Sequence, residues 1–170
     1  MYKAENWEDI DAINTRRPEP GYYLLKIINA MDGVAQYSDE PLLKLELDIF
    51  EGEFTNYFTN VGAKVNKNIL LRSNHSLRNP KSLPYFKKFI LDLEASNMGY
   101  KFDFRTESLK GKKIGAYLKY YTYESKYGEK QGLTIDKFFS IGEAREQLGK
   151  QLTERIEASN TNLNNDLPFD

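Results

Sequence analysis

Residues 42 to 50 read LLKLELDIF, and no other stretch limits the folding of the chain so tightly. Leu43, Leu45, Leu47 and Ile49 occupy alternate positions, with Lys44, Glu46 and Asp48 between them. Successive side chains of a strand point to opposite faces, so this run predicts a half-buried antiparallel strand with its leucines on a core and its charges in water. The turn Glu51-Gly52-Glu53 and the run FTNYFTN, residues 54 to 60, complete a predicted hairpin.

Other runs repeat the pattern. GYYLLKIIN, residues 21 to 29, puts Tyr23, Leu25 and Ile27 on one face and Lys26 on the other. KKIGAYLKYYTY, residues 112 to 123, puts Ile114, Ala116, Leu118 and Tyr120 on one face and Tyr117, Lys119, Tyr121 and Tyr123 on the other. A loop over residues 124 to 132 connects it to LTIDKFFSI, residues 133 to 141, whose alternation slips at Asp136 and Lys137 as a β-bulge would make it.

Residues 61 to 81 show no clear period and carry Lys64, Lys67, Arg72, Arg78 and Lys81 without one acid, which predicts a mobile basic loop. Ser82 and Pro84 then open a helix with the stripe Phe86, Phe89, Ile90 and Leu93, and Gly99 lies near its stop. Ser140 and Glu143 form a capping box for a last helix with the stripe Ile141, Ala144, Leu148, Leu152 and Ile156. Beyond it the polar, Asn-rich stretch 158 to 165 has too little apolar surface to order itself.

Three strands, a helix, two strands and a terminal helix make an all-β domain with added helices. The order is that of the OB-fold, a five-stranded Greek-key barrel with a helix between strands 3 and 4. The expected divisions are an N-terminal extension (1–20), the OB-fold domain (21–141), a C-terminal helix (142–157) and a flexible acidic tail (158–170).

With 170 residues the chain is sized for one domain. It has no cysteine, which removes disulfides, thiolate metal sites and cysteine nucleophiles. Its single histidine, His75, sits in the polar stretch Arg72 to Ser76 and reads as an exposed loop residue. Phosphate-cradling and nucleophile-elbow motifs are missing, so no cofactor is expected. No run suits a membrane span and the N-terminus lacks the apolar region of a signal peptide, so a cytoplasmic protein with no membrane partner is expected.

The distribution of charge points to a binding protein. Residues 60 to 130 hold fifteen basic and six acidic side chains, while residues 141 to 170 hold three and six. A basic body in a chain of net charge −1 fits an anionic partner. Sequence-independent binding of single strands needs cations that follow phosphates and rings on which bases stack. Lys44, Lys64, Lys67, Arg72, Lys119, Lys126 and Lys130 supply the first, and Phe54, Tyr57, Tyr117, Tyr121, Tyr123 and Tyr127 the second. Phe54 and Phe58 read equally well as core residues. Two other readings compete: a small barrel whose tyrosines bind a protein, as an inhibitor of a host enzyme would, and a metal-dependent nuclease built on Asp48, Glu51 and Glu53. The two glutamates flank a turn glycine, which favours plain solvation of a hairpin. A homo-oligomer is compatible with all of this.

The chain closes on Asn165-Asp166-Leu167-Pro168-Phe169-Asp170, which resembles the acidic tip, Asp-Asp-Ile-Pro-Phe, of bacterial single-stranded-DNA-binding proteins. With the element order, the Gly-Tyr strand, the Glu-Gly-Glu-Phe hairpin and the stretch Pro84 to Phe89, the whole chain looks like a phage- or prophage-encoded member of that group. Asn165 replaces the first acid of the tip and Asp170 follows the phenylalanine. The resemblance implies coating of single-stranded DNA in replication or recombination, with Asp166, Leu167, Pro168, Phe169 and Asp170 recruiting replication or recombination proteins. A flexible acidic tail would also fold back on the basic body and compete with DNA.

Overall fold

The computed structural model describes residues 16–37, 39–71 and 82–165, the last three by their backbone alone. Arg72, His75, Arg78, Lys81 and the tip Asp166 to Asp170 lie outside the described residues, as does most of the N-terminal extension. Five strands form one antiparallel sheet: β1 (Gly21–Val34), β2 (Pro41–Ile49), β3 (Val65–Leu70), β4 (Lys113–Ser125) and β5 (Gly128–Phe139), in the order β3-β2-β1-β4-β5. Helix α1 (Tyr57–Asn60) follows β2, α2 (Ser82–Ser96) lies between β3 and β4, and α3 (Ile141–Asn165) follows β5. The molecule is therefore mostly β with added helices. Among the described residues no helix is long and apolar enough to cross a membrane.

Strand β1 organises the sheet. Residues 21 to 26 pair with β4 and residues 25 to 34 with β2, and a bulge at Ile28 interrupts the second ladder. A bulge bends a strand and increases its twist, so the sheet curls until β3 approaches β5. Among the described residues no ladder joins those two edges. The Lys67 ammonium spans the gap, donating to the Ile135 carbonyl at 3.0 Å.

The alternation of β2 holds: Leu43, Leu45, Leu47 and Ile49 are buried, with Leu25, Ile27, Ile114, Ala116, Leu118 and Ile135 beside them. Helix α2 lays Phe89 and Leu93 on this core, and Phe86 and Ile90 pack at its margin. Helix α3 covers the opposite face of β1 and β4, which explains why neighbouring Leu24 and Leu25 are both buried. It comes so close that a Cβ on Gly115 would collide with that of Ala144. The Ser140 hydroxyl accepts the Glu143 N–H at 3.2 Å, as the capping box requires. The slip at Asp136 is a bulge as well, since Tyr117 pairs with Lys137 and Leu118 with Ile135.

Four expectations are corrected. Residues 54 to 60 are a turn and a short helix, not a strand: Phe54, Tyr57 and Phe58 have helical spacing, and Asp48 captures the start of α1. The third strand lies further on, at Val65–Leu70, inside the stretch expected as a mobile loop. The expected loop over 124 to 132 is mostly strand, reduced to the two-residue turn Lys126-Tyr127. Residues 158 to 165 continue α3 instead of forming a flexible linker.

Candidate nucleic-acid interface

Strand β1 begins at Gly21, opposite Leu118, so among the described residues β4 beyond Leu118 pairs with β5 alone. The result is a two-stranded ribbon, residues 119 to 134, that extends the sheet past β1. Gly128, at φ 99°, follows its two-residue turn at a position where a side chain would be strained. The Ser125 hydroxyl ties the turn by donating to the Gly128 carbonyl at 2.8 Å and accepting the Tyr127 N–H at 3.2 Å.

Cross-strand register sorts the ribbon into two faces. One carries Lys119 opposite Thr134, Tyr121 opposite Gly132 and Tyr123 opposite Lys130. The other carries Tyr120 opposite Leu133, Thr122 opposite Gln131 and Glu124 opposite Glu129. Tyr121 and Tyr123 are 46% and 42% exposed, and their rings lie 5.6 Å apart with 31° between planes. Gly132 makes this possible, because a Cβ there would come within 2.7 Å of the Tyr121 ring. Tyr127, 77% exposed at the tip, has the ammoniums of Lys126 and Lys130 over its ring at 5.0 and 5.3 Å. At the base Lys119 contacts Asp136 at 2.9 Å, and this hydrogen bond holds the Asp136 carboxyl below the usual range.

The expected residues thus divide. Lys119, Tyr121, Tyr123, Lys126, Tyr127 and Lys130 share the ribbon. Tyr117 stands next to it but is half-buried, its ring edge-on to Tyr22 at 5.0 Å. Phe54 and Tyr57, both half-buried, pack against the core and each other at 5.9 Å, with Phe58 buried beside Tyr57, so these rings help close the core. Lys64 is exposed but paired with Glu46 at 3.1 Å. Lys44 lies exposed on the outer face of β2, its stem against Gly33. Lys67 faces inward, opposite Leu45, and burial pushes its ammonium below the usual lysine range. It closes the seam and does not face solvent phosphates.

The sequence reading missed three features of the ribbon and its base. Tyr120, expected on the core face, is 48% exposed because β1 has ended and no core remains below it. Lys137 is exposed opposite Tyr117, hidden in the sequence by the bulge. Gly132 lacked any signal except its glycine in an otherwise regular strand.

The carboxylates weighed for a nuclease do not converge. Asp48, expected to face water, is 2% exposed. It accepts from the N–H groups of Ile49, Phe58 and Thr59 at 2.8, 3.1 and 2.9 Å and from the Thr59 hydroxyl at 2.5 Å. Glu51 pairs with Arg145 at 3.0 Å and Glu53 with Arg16 at 2.7 Å. Among the described residues no three acidic or histidine side chains group as metal ligands would. Compared with known proteins, the chain matches no family model and no curated sequence.

Proposed function

We propose that the protein is an OB-fold single-stranded-DNA-binding protein, acting without sequence preference in phage replication or recombination. The observation that carries the reading is the ribbon face on which Tyr121, Tyr123, Lys119 and Lys130 meet, with Tyr127 and Lys126 at its tip. It brings stacking surfaces and cations together on an element exposed to solvent, the two requirements for holding a flexible polyanion. The strand order, with β1 shared between β2 and β4 and a helix between β3 and β4, supports the OB-fold assignment. Recruitment of replication or recombination proteins through Asp166 to Asp170 belongs to the same proposal.

A salt titration tests it. Log affinity for a mixed-sequence oligodeoxynucleotide is expected to fall linearly with log salt, by about 0.7 per phosphate contact. Lys126→Ala and Lys130→Ala should each flatten the slope by about that amount. Affinity independent of salt would overturn the proposal.

A second reading, a protein-interaction module, is favoured by one observation elsewhere. Phe104 is 84% exposed and held at φ 62°, its ring tilted 50° to that of Phe102 at 5.1 Å, a strained placement for a large ring. Loss of a captured protein on Phe104→Ala, with oligonucleotide affinity unchanged, would support it.

A further inference from the structure

The back of the ribbon is as open to solvent as its front. Glu124 and Glu129 stand directly opposite each other there, both exposed, and among the described residues no ion pair reaches either carboxylate. Like charges directly across a strand pair destabilise it, and a two-stranded hairpin has little stability to spare. The neighbouring row, Thr122 opposite Gln131, brings no compensating cation. The front holds Lys130 with Tyr121 and Tyr123, and Lys119 at its base paired with Asp136 at 2.9 Å, while the back holds two carboxylates with Tyr120. Residues 119 to 132 carry three lysines and two glutamates, so mixed together they would attract a polyanion only weakly. Sorted by face, they make one side attractive and the other repulsive.

We infer that Glu124 and Glu129 are specificity determinants that repel nucleic acid from the back of the ribbon, confining one single strand to the tyrosine face and leaving Tyr120 unused as a stacking ring. The inference rests on the proposed single-strand binding. Without the two carboxylates, Tyr120 and the backbone of an exposed ribbon would offer a second strand a landing surface, and one protein could bridge two strands. The repulsion acts across the thickness of one sheet, roughly a Debye length at physiological salt, so it is strongest when salt is low.

The full-length chain and two variants, Glu124→Gln/Glu129→Gln and Glu124→Lys/Glu129→Lys, would be titrated with a short mixed-sequence oligodeoxynucleotide at low and moderate salt. Stoichiometry and affinity would be recorded, with light scattering on a long single strand. The neutral variant should bind on the order of threefold tighter at low salt, with the difference closing at moderate salt. The reversed variant should take up a second oligonucleotide per chain and scatter strongly with the long strand. Adding Tyr120→Ala to the reversed variant should weaken that second site alone. A circular-dichroism melt for each variant establishes that it is folded. If the wild-type chain binds DNA and both folded variants match it in stoichiometry and affinity, the inference is wrong and the function stands. A wild-type chain that binds no strand overturns both.

Discussion

The β2–β3 side of the molecule, taken with the turn and short helix that follow β2, and the β4–β5 ribbon both carry lysine and aromatic residues, yet they use them differently. On the β2–β3 side Lys67 turns inward to the Ile135 carbonyl, Lys64 meets Glu46, and Phe54 and Tyr57 lean on the core. On the ribbon Tyr121, Tyr123, Tyr127, Lys126 and Lys130 remain exposed, with only Lys119 held by Asp136, because β1 has ended and, among the described residues, no third strand pairs with this part of β4. The difference teaches that a strand's periodicity assigns a residue to a face, while the length of the neighbouring strands decides whether that face is covered.

The comparison is most easily broken at Asp48. If the β2–β3 side is structural, Asp48→Ala leaves the N–H groups of Phe58 and Thr59 without their acceptor and should cost about 3 kcal/mol or more. Denaturant unfolding measures this, and the folded fraction should keep its DNA affinity. Tyr121→Ala and Tyr123→Ala should each weaken oligonucleotide binding by about 1–3 kcal/mol while leaving the melting temperature nearly unchanged. A large fall in stability would mean that these rings pack and do not stack on bases. Lys67→Ala should destabilise by about 1 kcal/mol, the net worth of a hydrogen bond, with less effect on DNA affinity than Lys130→Ala.

The smallest effect concerns pH. Burial pushes the Tyr23 phenol up to about 12, against a weaker opposing influence from its bond to the Glu19 carbonyl at 2.6 Å. An acid whose folded pKa is raised ionises more readily when unfolded. The stability tied to Tyr23 is thus full below pH 10, its ordinary value, and is lost as pH rises towards 12. Melting temperatures of the wild type and Tyr23→Phe over that range should converge as pH rises.

Much of the fold could be read from the chain. The β2 alternation, the α2 stripe and the bulge at Asp136 each arise from local periodicity, and each is present. The third strand was hidden by one residue: VNKNIL alternates correctly, but Lys67 occupies an inward position where an apolar residue is expected. That lysine is explained by β5, distant in sequence, whose carbonyl it binds. Residues 54 to 60 misled in the opposite way, since aromatic and Thr-rich composition resembles a strand until Asp48 is seen to hold the helix start. At the candidate site the faces of Tyr121 and Tyr123 followed from parity. The exposure of Tyr120 did not, because it depends on where β1 begins.

Helix α3 keeps its course to Asn165, 25 residues from its start, a length of about 37 Å at 1.5 Å per residue. A slack leash lets whatever it carries search a sphere, and its value lies in reach. A rod anchored on the sheet at Ala144 restricts that search to the directions its own bending allows, and its value lies in aim. The point where the helix ends is thus fixed by its length, and a change of half a turn would move that point to the opposite side of the helix axis.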